Sequence, residues 1–295
     1  MKKLKQGLLL LLTAAMLCGC GLSPQPAGPD PETTAAVAEE ITSSPVPTPE
    51  PSPEPTPEPT PTPTPRAEIK RLEWKEKQQD GFVWEEGHLH AVDEEGELLR
   101  NDWIGILYFD KYGFYRSGSK ELDRLVAEII RKNTDESQTR MEKLKTVYEY
   151  ARDNIKYVGF GNHDLSYTPA HGKDGWMLEC AIYALENGVG NCYHFAAAFA
   201  ALARGVGFQA YAVGGVIGFD RQQHGWVEIV DEDGNIWYCD PETEYSLIYW
   251  QDQHPDLFYK TLEEISVPTG LDYASGLNPF EAEEKEAMER GQNTD

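Results

Sequence analysis

The segment that decides the fold is Asn187-Gly-Val-Gly-Asn-Cys-Tyr-His-Phe-Ala-Ala-Ala-Phe-Ala-Ala-Leu-Ala-Arg-Gly205. Gly188 and Gly190 interrupt any helix that comes before them, and Asn191 is a favourable N-cap for a new one. Gly205 marks the end of that helix. Because nearly every position in between is apolar or small, we expect the helix to be buried on all sides.

Cys192 falls in the first turn of this predicted helix. The free backbone N–H groups of a first turn and the helix dipole stabilise a thiolate, which is the form of cysteine that attacks carbonyl groups. A buried helix with a polar start is also a rigid support for a nucleophile. A single cysteine is nevertheless most simply an inert core residue, so a catalytic interpretation requires further residues.

Further along the chain, the sequence predicts a β-hairpin with polar residues near its ends. Its strand, turn and second strand are His224-Gly-Trp-Val-Glu-Ile-Val230, Asp231-Glu-Asp-Gly-Asn235 and Ile236-Trp-Tyr-Cys-Asp240. If the loop holds three or five residues, Trp226 lies opposite Asp240, and His224 is a diagonal neighbour of Asp240 on the same face. An even number of loop residues places the two side chains on opposite faces.

Three motifs together resemble the transglutaminase-like superfamily. They are a Gly-x-Cys before an Ala-rich helix, a His-x-Trp-x-Glu strand and a Trp-Tyr-x-Asp-Pro strand, in this order between about Glu136 and Leu247. The resemblance implies an α+β fold of the papain-like type. In that fold, a helix that bears the nucleophile packs against an antiparallel sheet that bears the base.

The resemblance also implies a catalytic triad. Carried over motif by motif, Cys192 is the nucleophile, His224 is the general base and later the general acid, and Asp240 orients the imidazole. The chemistry is acyl transfer through a thioester and needs no cofactor. The backbone N–H of Cys192 is a natural oxyanion donor. Trp176 and Tyr157 remain open as alternatives for the second donor.

The sequence leaves three function classes open. They are an amide-hydrolysing enzyme, a cross-linking acyltransferase, and a non-catalytic cell-wall-binding or scaffold lipoprotein with a vestigial triad. The presence of all three triad residues favours an enzyme that acts on peptide or side-chain amides. Hydrolysis and transfer differ in whether water or an amine reaches the thioester, which the sequence does not decide. Cell-wall peptides and surface proteins are the nearest candidate substrates.

The N-terminus has the pattern of a bacterial targeting signal. Lysines precede a short apolar run, at Lys2, Lys3, Lys5 and Leu8–Leu12. The following Leu17-Cys18-Gly19-Cys20 resembles a lipobox, which implies cleavage of residues 1–19 and a diacylglyceryl group on Cys20. We therefore expect a protein anchored to the outer face of the cell membrane, on a Gram-positive surface. Residues 20–66 are rich in proline and predict a disordered stalk.

Residues 67–118 contain an internal repeat. Asp93-Glu-Glu-Gly96 recurs as Asp110-Lys-Tyr-Gly113, and Trp84 recurs as Trp103, which predicts two short hairpins. The second copy resembles the choline-binding-like repeats that bind cell walls, whereas the first has lost its aromatic residues. A ligand-binding module and a structural cap on the main domain are both open interpretations.

Two amphipathic helices are predicted before the nucleophile, over residues 119–133 and 137–157, with Met141 on the core face of the second. A polar, Gly-containing segment at 160–173 predicts a functional loop. The transglutaminase-like domain is expected to span residues 119–270. The acidic tail at 271–295 is expected to be disordered.

Charge and metal-binding patterns narrow the functions further. The net charge of −24 excludes nucleic acid as a partner. We expect no metal site, because the pair His88-x-His90 lies in a predicted strand, and Asp231-x-Asp233-Gly234 does not match a calcium loop. The other histidines are expected in loops or on the surface: His163, His171, His194 and His254. Two further cysteines, Cys180 and Cys239, are expected as separate buried thiols rather than a disulfide.

Overall fold

The computed structural model describes residues 73–78, 80–159, 176–218 and 221–275. The predicted signal peptide, the lipidated Cys20, the stalk and the loop at 160–173 lie outside these ranges. Within them, no helix is both long enough and apolar enough to cross a bilayer. The described residues belong to one compact unit, Thr60–Asp295.

The main domain consists of helices packed on an antiparallel sheet, which is an α+β fold. The helices are α1 (Lys120–Asn133), α2 (Arg140–Asn154), α3 (Trp176–Asn187), α4 (Cys192–Gly205), α5 (Pro241–Gln251) and α6 (Leu262–Thr269). The strands of the sheet are β8 (Gln209–Ile217), β9 (Gln222–Val230), β10 (Ile236–Cys239) and β11 (Tyr273–Ser275). Their order across the sheet is β10-β9-β8-β11.

Helix α4 forms the centre of the core. All 14 of its residues are buried, and it packs against α1, α2, α3 and the central strands β8 and β9. The helix begins after Asn191, whose side chain accepts a hydrogen bond from the N–H of Tyr193, and it ends at Gly205. The predicted start, end and complete burial of this helix are confirmed.

The helices before α4 largely follow the sequence prediction. Ser119 caps α1, as its N-terminal position predicts. Helix α2 is shorter than predicted, because Thr139 and Glu142 form a capping box that fixes its start. Beyond its end, β6 (Lys156–Tyr157) pairs in parallel with β7 (Val189–Gly190). Met141 was predicted to face the core, and this was wrong. Its side chain lies in the first turn of α2 and is 40% exposed.

The repeat region forms small sheets with the predicted internal symmetry. Its strands are β1 (Phe82–Glu85), β2 (His88–Ala91), β3 (Asp102–Ile104), β4 (Leu107–Phe109) and β5 (Tyr115–Arg116). A tight two-residue turn joins β1 to β2 and another joins β3 to β4. In both copies an Asp-x-x-Gly turn follows. The N–H of Gly96 donates a hydrogen bond to the carbonyl oxygen of Asp93, and the N–H of Gly113 donates one to the carbonyl oxygen of Asp110.

These hairpins pack against the main domain. Phe82 and Phe109 share a buried apolar cluster with Tyr211 and Trp226 of the main sheet. The indole N–H of Trp84 donates a hydrogen bond to the carbonyl oxygen of Gly205 at 3.1 Å. These contacts favour the structural-cap interpretation, since the repeat residues complete a core that the main sheet alone leaves open.

The sheet continues past the domain boundary expected at residue 270. Strand β11 pairs with β8, and Tyr273 lies opposite Ile217. The beginning of the segment expected as a disordered tail is therefore ordered. Composition gave little sign of this strand, because only three residues pair and an acidic segment follows them.

A buried ion pair holds α2 against α5. Glu244 is 3% exposed and lies in a salt bridge with Arg152. The hydroxyl of Tyr148 and the backbone N–H of Leu257 also donate to Glu244, each at 2.7 Å. Because α5 begins directly after Asp240, this network fixes the position of the carboxylate that the sequence assigns to the triad.

We expect Glu244→Ala to lower the free energy of unfolding by about 2 to 5 kcal/mol, since it leaves the Tyr148 hydroxyl and the Leu257 N–H without their acceptor and leaves Arg152 paired with Asp153 alone. Tyr148→Phe, which removes one hydrogen bond, should cost about 1 kcal/mol. Urea denaturation monitored by circular dichroism measures both. Glu149→Gln, on the exposed face of α2, is the control. A Glu244→Ala variant as stable as that control would contradict the structural role of the network.

Candidate active site

The hairpin of β9 and β10 brings the histidine and the aspartate together. Its loop contains five residues, since Ile236 pairs with Val230. With this odd number, His224 and Asp240 fall on the same face, as the sequence predicted. Nε2 of His224 lies 2.8 Å from Oδ2 of Asp240 in a buried hydrogen bond. The predicted contact between the two side chains is confirmed.

Asp240 is completely buried, and both of its carboxylate oxygens have hydrogen-bond donors. Oδ1 accepts from the backbone N–H of Thr243 at 3.0 Å, which makes Asp240 the N-cap of α5. Oδ2 accepts from the hydroxyl of Tyr273 at 2.8 Å in addition to its bond with His224. A buried carboxylate with this many donors is held in one orientation.

The pKa shifts of the pair favour an ion pair. Burial opposes charge on both side chains. Even so, the charge and hydrogen bond of Asp240, together with interactions with the Cys192 sulfur, raise the pKa of His224 well above its ordinary value. In the same way, burial opposes ionisation of Asp240, but attraction to His224 and the hydrogen bonds to its oxygens lower the pKa of this carboxyl. The mutual attraction outweighs desolvation, so an imidazolium faces a carboxylate.

Cys192 is the first residue of α4 and is 2% exposed. Its sulfur interacts with the imidazole of His224, an interaction that raises the pKa of the histidine. Because Nε2 of His224 is bonded to Asp240, the free ring nitrogen for the thiol is Nδ1. The structure thus brings Cys192, His224 and Asp240 into one site.

A glycine permits the close approach of β9 to the start of α4. A Cβ atom at Gly225 would lie 2.8 Å from the ring of Tyr193 and 3.0 Å from its Cα. Real Cβ contacts are not this short, so any side chain at this position would force the strand away from the helix. Since Gly225 follows His224 and Tyr193 follows Cys192, this contact sets the spacing between His224 and Cys192.

A second carboxyl group lies beside the imidazole. Glu242, in the first turn of α5, is 8% exposed, and its Oε2 is 3.7 Å from Nδ1 of His224. Burial raises the pKa of Glu242. The hydroxyl oxygen of Thr243 lies 3.3 Å from Nε2 of the same ring. The sequence analysis singled out neither residue, although their position directly after Asp240-Pro241 was a signal that they lie near the site.

The two alternatives for a second oxyanion donor both lie near the start of α4. Tyr157 is in β6, which pairs with the residues that lead into α4. Burial, together with the negative charges of Cys192 and Glu242, raises the pKa of Tyr157, so its hydroxyl keeps its proton. The ring of Trp176 packs edge-on against Tyr193, with 5.8 Å between ring centroids.

The other thiols are separate and buried, as expected. Burial raises the pKa of Cys180 to about 12. Burial also raises the pKa of Cys239, whose sulfur accepts a hydrogen bond from the backbone N–H of Tyr259. Both groups are therefore neutral thiols at physiological pH.

The other histidines lie in different environments. His194 was expected in a loop or on the surface, and this was wrong. It is 4% exposed in the first turn of α4, where it packs beside the capping residue Asn191, and burial lowers its pKa to about 4. His254 is exposed as expected. His90 is buried in β2, whereas His163 and His171 lie outside the described residues. In the part of the chain that the structure describes, no cluster of side chains is arranged to hold a metal ion.

Tyr273 was missed by the sequence analysis. It lies 33 residues after Asp240, in the segment assigned to the tail, and nothing local marks it. It is 7% exposed, and its ring packs edge-on against Trp226 at 5.3 Å between centroids. Its hydroxyl helps to hold the carboxylate of Asp240 in one orientation.

We expect Tyr273→Phe to shift the acid limb of Cys192 alkylation to higher pH. Loss of the hydroxyl donor makes Asp240 easier to protonate, and a protonated Asp240 no longer supports the imidazolium. The effect of one such hydrogen bond is about 1 to 2 kcal/mol, or roughly one pH unit. Iodoacetamide labelling followed by mass spectrometry measures the profile. Tyr238→Phe is the control, and identical profiles for the two variants would contradict the positioning role.

Comparison with known proteins gives one family match and a distant similarity to a solved structure. Residues 123–241 match the family model described as the transglutaminase-like superfamily. A solved structure named as a candidate cysteine protease from Cytophaga hutchinsonii aligns with 18% identity and a TM-score of 0.32. That alignment covers 41% of this chain and 37% of the other. No curated protein matches the chain significantly.

The family match contains Cys192 and His224 and ends one residue after Asp240. It does not include the repeat region or β11, so Tyr273 lies outside it. Residues 123–241 of this chain are therefore similar to the transglutaminase-like superfamily.

Proposed function

We propose that the protein is a cysteine acyl-transfer enzyme that acts on peptide or side-chain amides through a thioester on Cys192. The observation that carries the proposal is the 2.8 Å bond between His224 and Asp240 beside the first turn of α4. This bond leaves Nδ1 of the imidazole for the thiol.

In the proposed reaction, the Cys192 thiolate attacks the amide carbonyl carbon and forms a carbon–sulfur bond. The imidazolium of His224 then donates its Nδ1 proton to the leaving amine as the carbon–nitrogen bond breaks. In the second half, the now neutral His224 accepts a proton from the acceptor, which is water or an amine. The carbon–sulfur bond breaks, and sulfur leaves with its electron pair as the thiolate. Asp240 stays ionised throughout and holds the ring in place.

The negative oxygen of the tetrahedral intermediate needs two donors. The backbone N–H of Cys192, at the start of α4, is the first of these in our proposal. We assign the second donor to the hydroxyl of Tyr157, since β6 runs beside the segment that leads into Cys192. The raised pKa of this tyrosine supports the assignment, because a donor must keep its proton next to a thiolate.

The proposed location follows from the N-terminal motif. Lipidation of Cys20 would anchor the protein in the outer face of the cell membrane, with the residues 20–66 as a stalk. Peptides of the cell wall and surface proteins are then the amides within reach. A net charge of −24 argues against nucleic acid as a partner.

We expect iodoacetamide at mildly acidic pH to label Cys192 well before Cys180 and Cys239. Burial raises the pKa of the other two thiols, whereas Cys192 lies beside the imidazole of His224, which can take up the proton of the thiol. His224→Ala should therefore slow labelling of Cys192 by about tenfold or more. Peptide mapping by mass spectrometry gives the rate for each cysteine.

His254→Ala, which removes an exposed histidine, is the matched control and should leave all three rates unchanged. Equal labelling of the three cysteines, or labelling of Cys192 that is indifferent to His224, would contradict the enzymatic function. The non-catalytic scaffold would then be the better description.

A further inference from the structure

We propose that a group of aromatic rings beside the candidate site binds a basic side chain of the substrate. The preferred acyl donor is then a peptide with lysine or arginine a few residues from the reacting amide. This aromatic surface consists of Tyr157, Tyr245, Tyr249 and Trp250. The proposal rests on the acyl-transfer function above and extends it to the class of substrate.

The four rings form one continuous surface. Tyr245 contacts both Tyr249 and Trp250, with 4.5 Å and 6.1 Å between ring centroids. Trp250 also packs edge-on against Tyr157, with 5.4 Å between centroids. Distances in this range are typical of aromatic rings in contact. The aromatic surface therefore extends from the second half of α5 to β6.

The outer part of the aromatic surface is open to solvent, and its inner part is anchored in the core. Tyr249 is 57% exposed and Trp250 is 61% exposed, so two adjacent rings leave apolar area that a ligand can cover. The ring of Tyr245 is half-buried and packs against the buried Phe195 of α4 at 5.5 Å. The rings are thus attached to the helix that bears Cys192.

The inner end of the aromatic surface reaches the candidate site. Tyr157 lies in β6, which pairs with the residues that precede Cys192. Burial, together with the negative charges of Cys192 and Glu242, raises the pKa of Tyr157, which shows that these charges lie close to its hydroxyl. A substrate bound at Cys192 therefore meets the aromatic surface at Tyr157.

The outer end lies within reach of a short peptide. Trp250 comes ten residues after Asp240, where α5 begins. At 1.5 Å per residue, these two positions are about 15 Å apart along the helix axis. An extended peptide spans this distance with roughly four residues. A side chain about four residues from the reacting amide can therefore lie on Trp250 and Tyr249.

Charge complementarity points to a cationic side chain. Residues 240–256 contain five acidic residues and no lysine or arginine. The last turn of α5 has no basic residue, so the partial negative charge of the helix C-terminus beside Trp250 is not offset there. Asp252 follows with a fully exposed carboxylate, 3.6 Å from Nε2 of the exposed His254. The ring faces, the helix end and this carboxylate all attract a cation.

The cations of the neighbouring elements do not offset this charge. Arg152 of α2 is already paired with Glu244 and Asp153. Lys156 precedes Tyr157 in β6, where successive side chains point to opposite faces of the strand. A neutral sugar ring can stack on the same aromatic rings, but it gains nothing from the negative charges beside them. A basic peptide is therefore the ligand that these observations favour.

The first test measures how a basic residue affects the alkylation of Cys192 in the full-length protein. The reagents are iodoacetyl peptides in which a glycine spacer of increasing length precedes either lysine or norleucine, which has a similar chain without the charge. The Cys192 thiolate displaces iodide, and peptide mapping by mass spectrometry gives each rate. We expect the lysine reagents to react about tenfold faster, with a maximum at a spacer of roughly four residues.

Variants of the aromatic surface identify where the lysine binds. Trp250→Ala and Tyr249→Ala should each lower the ratio of the lysine rate to the norleucine rate by about threefold, because each removes one ring from the cation. Asp252→Asn should lower the ratio by about twofold. Tyr112→Ala is the matched control, since it removes a ring that is 63% exposed in the repeat region and should leave the ratio unchanged. Thermal unfolding of each variant verifies that it is folded.

The second test measures binding without any reaction. Fluorescence anisotropy follows the binding of fluorescein-labelled pentalysine, and separately of labelled chitohexaose, at constant ionic strength. We expect Trp250→Ala to raise the Kd for pentalysine by about threefold and Tyr112→Ala to leave it unchanged. Binding of chitohexaose that depends on Trp250, with no such dependence for pentalysine, would overturn the proposal in favour of a carbohydrate ligand.

Failure of the inference and failure of the proposed function give different results. If iodoacetamide labels Cys192 no faster than the other thiols, the proposed function is wrong and the assignment of a substrate to the aromatic surface falls with it. If Cys192 reacts rapidly but lysine and norleucine reagents react at equal rates, the function stands and the aromatic surface has no role in selecting the substrate. A rate ratio that is the same in the wild type and in the Trp250 and Tyr249 variants would have the same meaning.

Discussion

The candidate site depends on one buried carboxylate, that of Asp240. Its two oxygens join three parts of the chain: the start of α5, the imidazole of His224 on β9, and the hydroxyl of Tyr273 on β11. An unpaired charge in this position would be very costly, so the surrounding elements are stable only in the arrangement that supplies all these donors. The same bonds that make the burial of Asp240 tolerable also orient the imidazole of His224. Stability and the geometry of the site therefore have a common cause.

The packing of helix α4 places Cys192 beside His224 and Asp240. Helix α4 is buried along its full length, so its position is fixed by contacts on all sides and its first turn cannot shift independently. The absence of a side chain at Gly225 lets β9 touch that first turn. The salt bridge between Arg152 and Glu244 acts at the opposite side of the site and holds α5 in place. Cys192 and His224 thus lie on rigid elements rather than on loops, as a preorganised site requires.

The parts that the sequence predicted correctly are those set by local patterns. The limits of α4 follow from Asn191 and Gly205, and the contact between His224 and Asp240 follows from the five-residue loop between their strands. Contacts between distant segments of the chain leave no such pattern in the amino-acid sequence. Tyr273 reaches Asp240 only because a three-residue strand joins the sheet edge, so neither its role nor the boundary near residue 270 could be predicted. Whether His194 and Met141 are buried was likewise decided by neighbouring elements, and both were predicted wrongly.

The central claim is that ionised Asp240 keeps His224 protonated beside Cys192 at neutral pH. NMR of the ¹⁵N-labelled imidazole of His224, recorded over a pH series, tests this directly. The account predicts that both ring nitrogens stay protonated well above the ordinary histidine pKa of about 6.5. Asp240→Asn should move the titration of His224 down toward or below that value. Titration of His224 near its ordinary pKa in the wild-type protein, unchanged by Asp240→Asn, would contradict the account.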